Sequence, residues 1–301
     1  MPFASANPYI GCEFGCAYCY ARDTHRWTVE RAAGVSGDAN VAKEAESMSP
    51  DEAFERRILV KQNAAAILAR TLNPRRMRNE PLVIGTATDP YQPAERRFRV
   101  TRALLEVLLA YRGLKLGIIT KSPLITRDTD LLAKLSARHR LTVNLSLAAI
   151  DAKLLRRLEP LTPTPAARLR AMRRLAQAGV RVGLLIAPVL PGINDGREVL
   201  RSLMAAAKES GAAWIAAVPL RMGPATRRTL LPWIVRERPD LAARYRRHYG
   251  SRQGVSRAYS TALQHRVQTL QAELGMEPGE GMRQEQELAR RREDLQLRLW
   301  K

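Results

Sequence analysis

Cys12-Glu-Phe-Gly-Cys16-Ala-Tyr-Cys19 holds all three cysteines of the chain within eight residues. An odd set of thiols this tightly spaced makes a poor disulfide framework, and a metal centre accounts for it better. Thiolates at this separation suit iron-sulfur or zinc. Gly11 and Gly15 leave the backbone free to bend so that the sulfurs converge. A structural zinc site needs a fourth ligand to close its tetrahedron, and the nearest candidate, His25, lies six residues past Cys19. A cubane held by three cysteines would instead keep one iron open to a substrate or cofactor. Pure electron transfer fits less well, because clusters of that kind usually have four protein ligands.

Such a loop must be carried by a scaffold. Apolar, β-branched runs recur at 82–85, 116–120, 141–147, 180–188 and, more weakly, 213–218, each reading as a buried strand. Between them the stretches 102–111, 128–137, 165–178 and 195–210 place apolar residues three and four apart, as amphipathic helices do. Strand alternating with helix is the pattern of a parallel sheet. With a further short strand at 5–9, the count reaches six repeats, which suits an open partial barrel better than a closed eightfold one. The spacing predicts a long helix over 50–71, an aperiodic surface excursion over 23–48, and helices without strands over 230–274. Residues 275–301 read as a linker and a charged last helix. The expected fold class is α/β, a partial (β/α)6 barrel with a C-terminal helical extension. The core spans 1–225 and the Arg-rich extension 226–301.

The chain has 301 residues, 46% of them hydrophobic and 26% charged, the composition of a globular protein with a sizeable core. No run is apolar for long enough to cross a bilayer and the first residues lack the pattern of a signal peptide, so the expected compartment is the cytoplasm, with no membrane partner. Fifty Lys and Arg against 29 Asp and Glu give a net charge of +21, a field that attracts phosphate backbones. DNA or RNA is thus an admissible partner. Only eight of those cations are Lys, however, and an Arg bias can also follow genome composition. A non-enzymatic iron-sulfur or zinc module that binds nucleic acid is the alternative that composition leaves open.

Taken with the motifs that follow it, the cysteine spacing, with an aromatic just before the last thiol, resembles the radical S-adenosylmethionine (radical SAM) superfamily. Asn7-Pro8-Tyr9, Tyr18-Cys19-Tyr20-Ala21-Arg22, the run from Thr88 to Glu95, Thr120-Lys121-Ser122, Leu158-Glu159-Pro160 and the run from Ala187 to Gly192 resemble its spore photoproduct lyase-like branch.

The resemblance implies that Cys12, Cys16 and Cys19 bind a [4Fe-4S] cluster, that S-adenosyl-L-methionine chelates the open iron, and that a low-potential donor of the flavodoxin or ferredoxin type reduces it. Cleavage of the sulfonium would then yield a 5′-deoxyadenosyl radical that abstracts hydrogen from a substrate. By the same resemblance Thr86, Thr88, Lys121 and Ser146 stand on the cofactor side, with Lys121 pairing the cofactor carboxylate and Thr88 offering a hydroxyl. Tyr18 and Tyr20 serve catalysis through the cofactor pocket and a radical relay. Asp89 and Glu95 are site candidates without an assigned role, and Pro188 and Asn194 border the adenine or start a helix. One departure stands out. The lyases use a further cysteine as hydrogen donor at the position of Thr86, and this chain has none outside the cluster loop.

Overall fold

The computed structural model describes residues 3–23, 49–77 and 80–276. From the amino terminus, strand β1 (Ala4–Ala6) is followed by β2 (Tyr9–Ile10), helix α1 (Pro50–Arg56), β3 (Leu59–Val60), α2 (Ala64–Thr71), the short α3 (Pro74–Met77) and β4 (Leu82–Ile84). Two helices, α4 (Glu95–Phe98) and α5 (Val100–Leu108), lead to β5 (Lys115–Thr120), and a 3-10 turn precedes α6 (Thr129–Ser136). Next come β6 (Arg140–Ser146), α7 (Ala152–Leu158), α8 (Pro165–Gln177), β7 (Val182–Val189), α9 (Arg197–Glu209) and β8 (Trp214–Pro219). Three helices complete the described chain: α10 (Pro224–Glu237), α11 (Pro239–Tyr249) and α12 (Arg257–Glu273).

Strands β1, β4, β5, β6, β7 and β8 form one parallel sheet in that order. Because the spatial order never reverses, every crossover turns the same way and the sheet curls toward a barrel, without the switch point of a doubly wound fold. β1 and β8 are not paired, so the barrel stays open. This is the α/β partial (β/α)6 barrel with helical extension that the strand and helix alternation leads one to expect.

Local chemistry sets the boundaries. Asp151, Thr164 and Ser256 cap α7, α8 and α12 by accepting backbone N–H bonds, and Pro165 occupies the first turn of α8, where its missing N–H costs nothing. In α5 the buried side chains Thr101, Leu104, Leu105 and Leu108 recur at helical spacing and face the sheet. Among the central strands, Val143, Leu145, Leu184 and Ile186 are fully enclosed, as parallel strands covered on both faces require.

Two expectations are corrected. The stretch 50–71 is not one helix: Arg57 turns extended after α1, and Leu59–Val60 pairs antiparallel with Tyr9–Ile10. Here pairing with the segment that enters the cysteine loop overrides helical periodicity. The first strand of the barrel is correspondingly shorter than 5–9, ending at Ala6, and Tyr9 belongs to the small second sheet. Residues 24–48 and 277–301, where the surface excursion and most of the linker and last helix were expected, lie outside the described residues. Among the described residues no helix is long and apolar enough to cross a membrane.

The helices after β8 pack into the rest of the chain. α12 lies over β8 and against α9, and its Gln271 Nε2 donates to the Ile215 carbonyl at 3.1 Å. α10 and α11 share an apolar cluster with the cysteine loop, in which Trp233, Ile234 and Tyr245 meet Phe14 and Tyr18.

Gly183 and Trp214 face each other across β7 and β8, and a Cβ on Gly183 would fall 2.2 Å from the indole. Gly183→Ala is therefore expected to lower stability by about 1–3 kcal/mol through overpacking, read as an earlier urea midpoint at unchanged slope.

Candidate active site

The loop that bears the cysteines has little secondary structure of its own, and its backbone is held from outside. Gly11, at φ +89°, turns the chain out of β2; a Cβ there would lie 2.7 Å from the Phe54 carbonyl. That same carbonyl accepts the Cys12 N–H at 2.9 Å. The Gly11 carbonyl accepts the Thr88 hydroxyl at 2.5 Å and Gln92 Nε2 at 3.3 Å. Gln92 also accepts the Glu13 N–H at 3.0 Å, while Glu13 accepts the Ala94 N–H at 2.7 Å. Further along, Ala17 N–H donates to Leu158 O at 2.9 Å, Arg22 donates to Cys16 O at 3.2 Å, and Arg22 pairs with Glu55. From α10, Thr229 donates to the Ala17 carbonyl at 2.6 Å and Thr226 to that of Cys19 at 3.1 Å.

All three cysteines line one cavity of about 190 Å³ at the carboxyl ends of β4 to β8, the end where barrel folds collect their chemistry. Cys12 and Cys16 are buried and Cys19 is half-buried. Burial pushes the Cys12 thiol up to about 12, with Asp89 and Cys19 adding to it. Burial likewise raises Cys16 well above the ordinary thiol range, against an opposing pull from Lys121. Thiolates are therefore too costly here without the positive charge of a metal. Among the described residues no three His, Cys, Asp or Glu are grouped as one ion would require, and no His lines the cavity. His25, the candidate fourth zinc ligand, lies outside the described residues. The three thiols nonetheless line one cavity together. This donor set fits a multi-iron cluster with an open corner better than a closed mononuclear site.

The three cysteines, Tyr18, Tyr20, Thr86, Thr88, Lys121 and Ser146 all line this cavity, but their roles diverge. Tyr18 is buried and donates its hydroxyl to Glu159; Tyr20 is half exposed at the mouth and donates to the Thr86 carbonyl. The Thr86 hydroxyl sits 2.5 Å from Ser5 Oγ and within 3.2 Å of Asn7 Nδ2. Thr88 gives its proton to Gly11 O and accepts from Gln92 Nε2 at 3.0 Å, which commits it to holding the cysteine loop. Ser146 is buried, with only a 3.5 Å contact from its hydroxyl to Ala187 O.

Lys121 follows β5, partly buried, its ammonium 5.7 Å from the centre of the Tyr18 ring. Burial alone would lower its pKa, but Cys16 and Glu159 outweigh that effect and hold the ammonium above its ordinary range. With Cys16 a protonated thiol, Glu159 and Asp89 are the neighbouring carboxylates that favour the charged ammonium.

Asp89 accepts the Thr120 hydroxyl and the N–H groups of Lys121 and Tyr91 at 2.6, 2.7 and 2.9 Å, so it ties the end of β4 to the end of β5. Glu95 is fully buried away from the cavity, where it accepts from Tyr9 and pairs with Arg127. Pro188 lines the cavity, whereas Asn194 binds Leu190 N, Ala148 O and Pro188 O and neither lines it nor caps α9.

Sequence reasoning missed Arg221, Glu159 and Arg168. Arg221 lies past β8, where burial of Leu220 and Met222 turns the exposed arginine toward the mouth of the cavity. No periodic signal marks it. Glu159 stands in the Leu-Glu-Pro motif already noted, and Arg168 is a fully buried arginine on α8 that reads in sequence as one of many surface cations.

An open parallel barrel with three thiols lining one cavity at its carboxyl-terminal mouth defines a metalloenzyme scaffold of the cluster-binding kind. The chain belongs to the radical SAM superfamily, whose family model matches residues 6–203. It is accordingly a radical SAM enzyme, and its cofactors are a [4Fe-4S] cluster and S-adenosylmethionine. The uncharacterized protein Rv2578c of Mycobacterium tuberculosis is 33% identical over 271 residues, covering 90% of this chain and 74% of that protein. The uncharacterized protein MJ0683 of Methanocaldococcus jannaschii is 28% identical over 189 residues, covering 63% of this chain and 61% of the other.

In fold, the chain is similar to a spore photoproduct lyase variant with bound AdoMet and dinucleoside spore photoproduct. The TM-score is 0.60 at 18% identity, covering 90% of this chain and 73% of the lyase. Similarity to Streptococcus suis SuiB bound to S-adenosylmethionine has a TM-score of 0.54 at 14% identity, covering 91% of this chain and 48% of SuiB.

The backbone at Gly11 makes a direct prediction. Gly11→Ala places a side chain against Phe54 O in a left-handed conformation, a local cost of about 1–3 kcal/mol. Anaerobically reconstituted Gly11→Ala protein should carry markedly less iron and sulfide than the parent. Gly254→Ala, where nothing lies within 4 Å of the added carbon, should match the parent.

Proposed function

We propose that Cys12, Cys16 and Cys19 hold the [4Fe-4S] cluster, that S-adenosylmethionine occupies its open corner, and that the enzyme acts on a nucleic-acid substrate presented at the cavity mouth. The observation that carries this reading is the set of three thiols, without a fourth protein ligand among the described residues, lining one cavity together with Lys121. When bound, the two cofactors supply hydrogen-atom abstraction by a 5′-deoxyadenosyl radical.

The chain's own residues position the reactants and exclude water. Lys121 offers its ammonium to the cofactor carboxylate, and the Asp89 carboxylate fixes the backbone from which that side chain extends. Ser146 offers a hydroxyl with only a weak internal partner. Phe14, Phe54 and Leu220 close the inner side of the cavity with apolar surface. A low-potential protein of the flavodoxin or ferredoxin type supplies electrons in this reading.

Nucleic acid is favoured by the net charge of +21 and by the make-up of the mouth. Tyr20 is 54% exposed there, a ring free to stack on a base, and Arg221, which lines the same cavity, is a cation for phosphate. The dinucleoside bound to the structurally similar lyase is of the same class. By the resemblance, Thr86 stands where the lyases have their hydrogen-donor cysteine, and its O–H bond is too strong to replace a thiol. The reaction therefore ends otherwise than by hydrogen return from a protein thiol.

Anaerobic reconstitution, dithionite reduction and chromatography should yield methionine and 5′-deoxyadenosine, with none from Cys12→Ala; equal background in both would refute the assignment. Lys121→Ala should keep its iron while binding S-adenosylmethionine more weakly by equilibrium dialysis. Binding to single-stranded oligonucleotides should weaken steeply as salt rises, because phosphate contacts release counterions. Arg221→Ala should reduce that salt slope by about one contact; a salt-independent interaction would remove nucleic acid from the reading.

A further inference from the structure

Glu159 is a buried carboxylate that the proposed chemistry leaves unused. It is 1% exposed and sits in the turn between α7 and α8, with each oxygen engaged. Oε1 accepts the Tyr18 hydroxyl from the cysteine loop. Oε2 accepts the Arg168 guanidinium and, at 2.9 Å, the Thr162 hydroxyl. Arg168, itself 1% exposed, donates onward to the Ser146 carbonyl at 2.9 Å and to Pro163 O at 3.0 Å. A single carboxylate therefore ties two walls of the cavity together, the cysteine loop through Tyr18 and strand β6 through Arg168.

The ring that Glu159 fixes is also the one against which Lys121 rests its ammonium, 5.7 Å from the centroid. Lys121 makes no ion pair to a described residue at contact distance, so the ring face and the fields of Glu159 and Asp89 stabilise its charge. Without Glu159, two cations would share a poorly solvated region with less negative charge to offset them, and the longer-stemmed Lys121 is free to turn toward the mouth.

We infer that Glu159 is a positioning residue for the cofactor: by orienting the Tyr18 ring and offsetting Arg168, it holds the Lys121 ammonium where the S-adenosylmethionine carboxylate arrives. This rests on the assignment of Lys121 made above. A fold-stabilising ion pair alone would also bury Glu159 and Arg168, but it would leave cofactor affinity unchanged once the protein is folded and loaded with iron.

The test uses the reconstituted full chain, with iron and sulfide content, equilibrium dialysis of S-adenosylmethionine, and the electron paramagnetic resonance signal of the reduced cluster titrated with it. The variants are Glu159→Gln, Glu159→Asp, Lys121→Ala and the double change Glu159→Gln with Arg168→Met, which leaves no unpaired guanidinium to unfold the chain. Glu159→Gln and the double variant should retain parental iron yet bind the cofactor roughly tenfold more weakly, as expected for a group behind a ligating residue. The spectral change should shift to correspondingly higher concentration, and Glu159→Asp should recover part of the loss. Parental affinity in iron-replete Glu159→Gln and double variants, with Lys121→Ala weakened, overturns the role of Glu159 alone. Parental affinity in Lys121→Ala overturns the assignment beneath it. Loss of iron from every Glu159 variant also overturns the inference, since the residue would then serve the cysteine loop and not the cofactor.

Discussion

Thiols that are enclosed in protein cannot carry charge unaided, and much of the architecture around Cys12, Cys16 and Cys19 follows from that constraint. A loop of this kind gains little from regular secondary structure, so its peptide groups must find partners elsewhere. They find them in Phe54, in Thr88 and Gln92 beyond β4, in Leu158 at the end of α7, and in Thr226 and Thr229 on α10. Elements far apart in sequence are thereby committed to one short segment. The donors arrive preorganised, and the entropy of ordering the segment falls to folding before any cofactor binds.

Around that loop the protein arranges its buried charges in separate groups. One, made of Glu159, Arg168 and Tyr18, stands behind the cavity; a second, made of Glu95, Arg127, Asp128 and Arg102, braces the segment that carries Asp89 and Gln92. Asp89 lies between them, its hydrogen bonds spent on backbone and hydroxyl groups. Buried ion pairs contribute little net stability compared with apolar packing, and their worth here lies in geometry that apolar contacts would leave loose.

The barrel was legible because parallel strands enclosed on both faces must be apolar and β-branched: the runs at 116–120 and 141–147 became β5 and β6 with no end displaced by more than one residue. Nine of the candidate site residues, legible from motif and strand-end position, reach one cavity, whereas Glu95 and Asn194 do not. Leu59–Val60 was not, because its strand exists only through pairing with Tyr9–Ile10, a tertiary fact invisible to local periodicity. Arg168 was hidden for another reason. In a chain with so many arginines, nothing local distinguishes the one whose guanidinium ends up inside. The hydroxyl of Thr88 was legible as a site group but not in its direction, since its acceptor, the Gly11 carbonyl, is 77 positions away.

Two hydroxyls on α10 grip the carbonyls of Ala17 and Cys19. During synthesis the ribosome delivers the cysteines first and their clasp more than two hundred residues later. The nascent cysteine segment therefore lacks these two bonds until α10 has left the exit tunnel. Any scaffold or chaperone that shields the early thiols from oxygen therefore has to act while more than two hundred further residues are made.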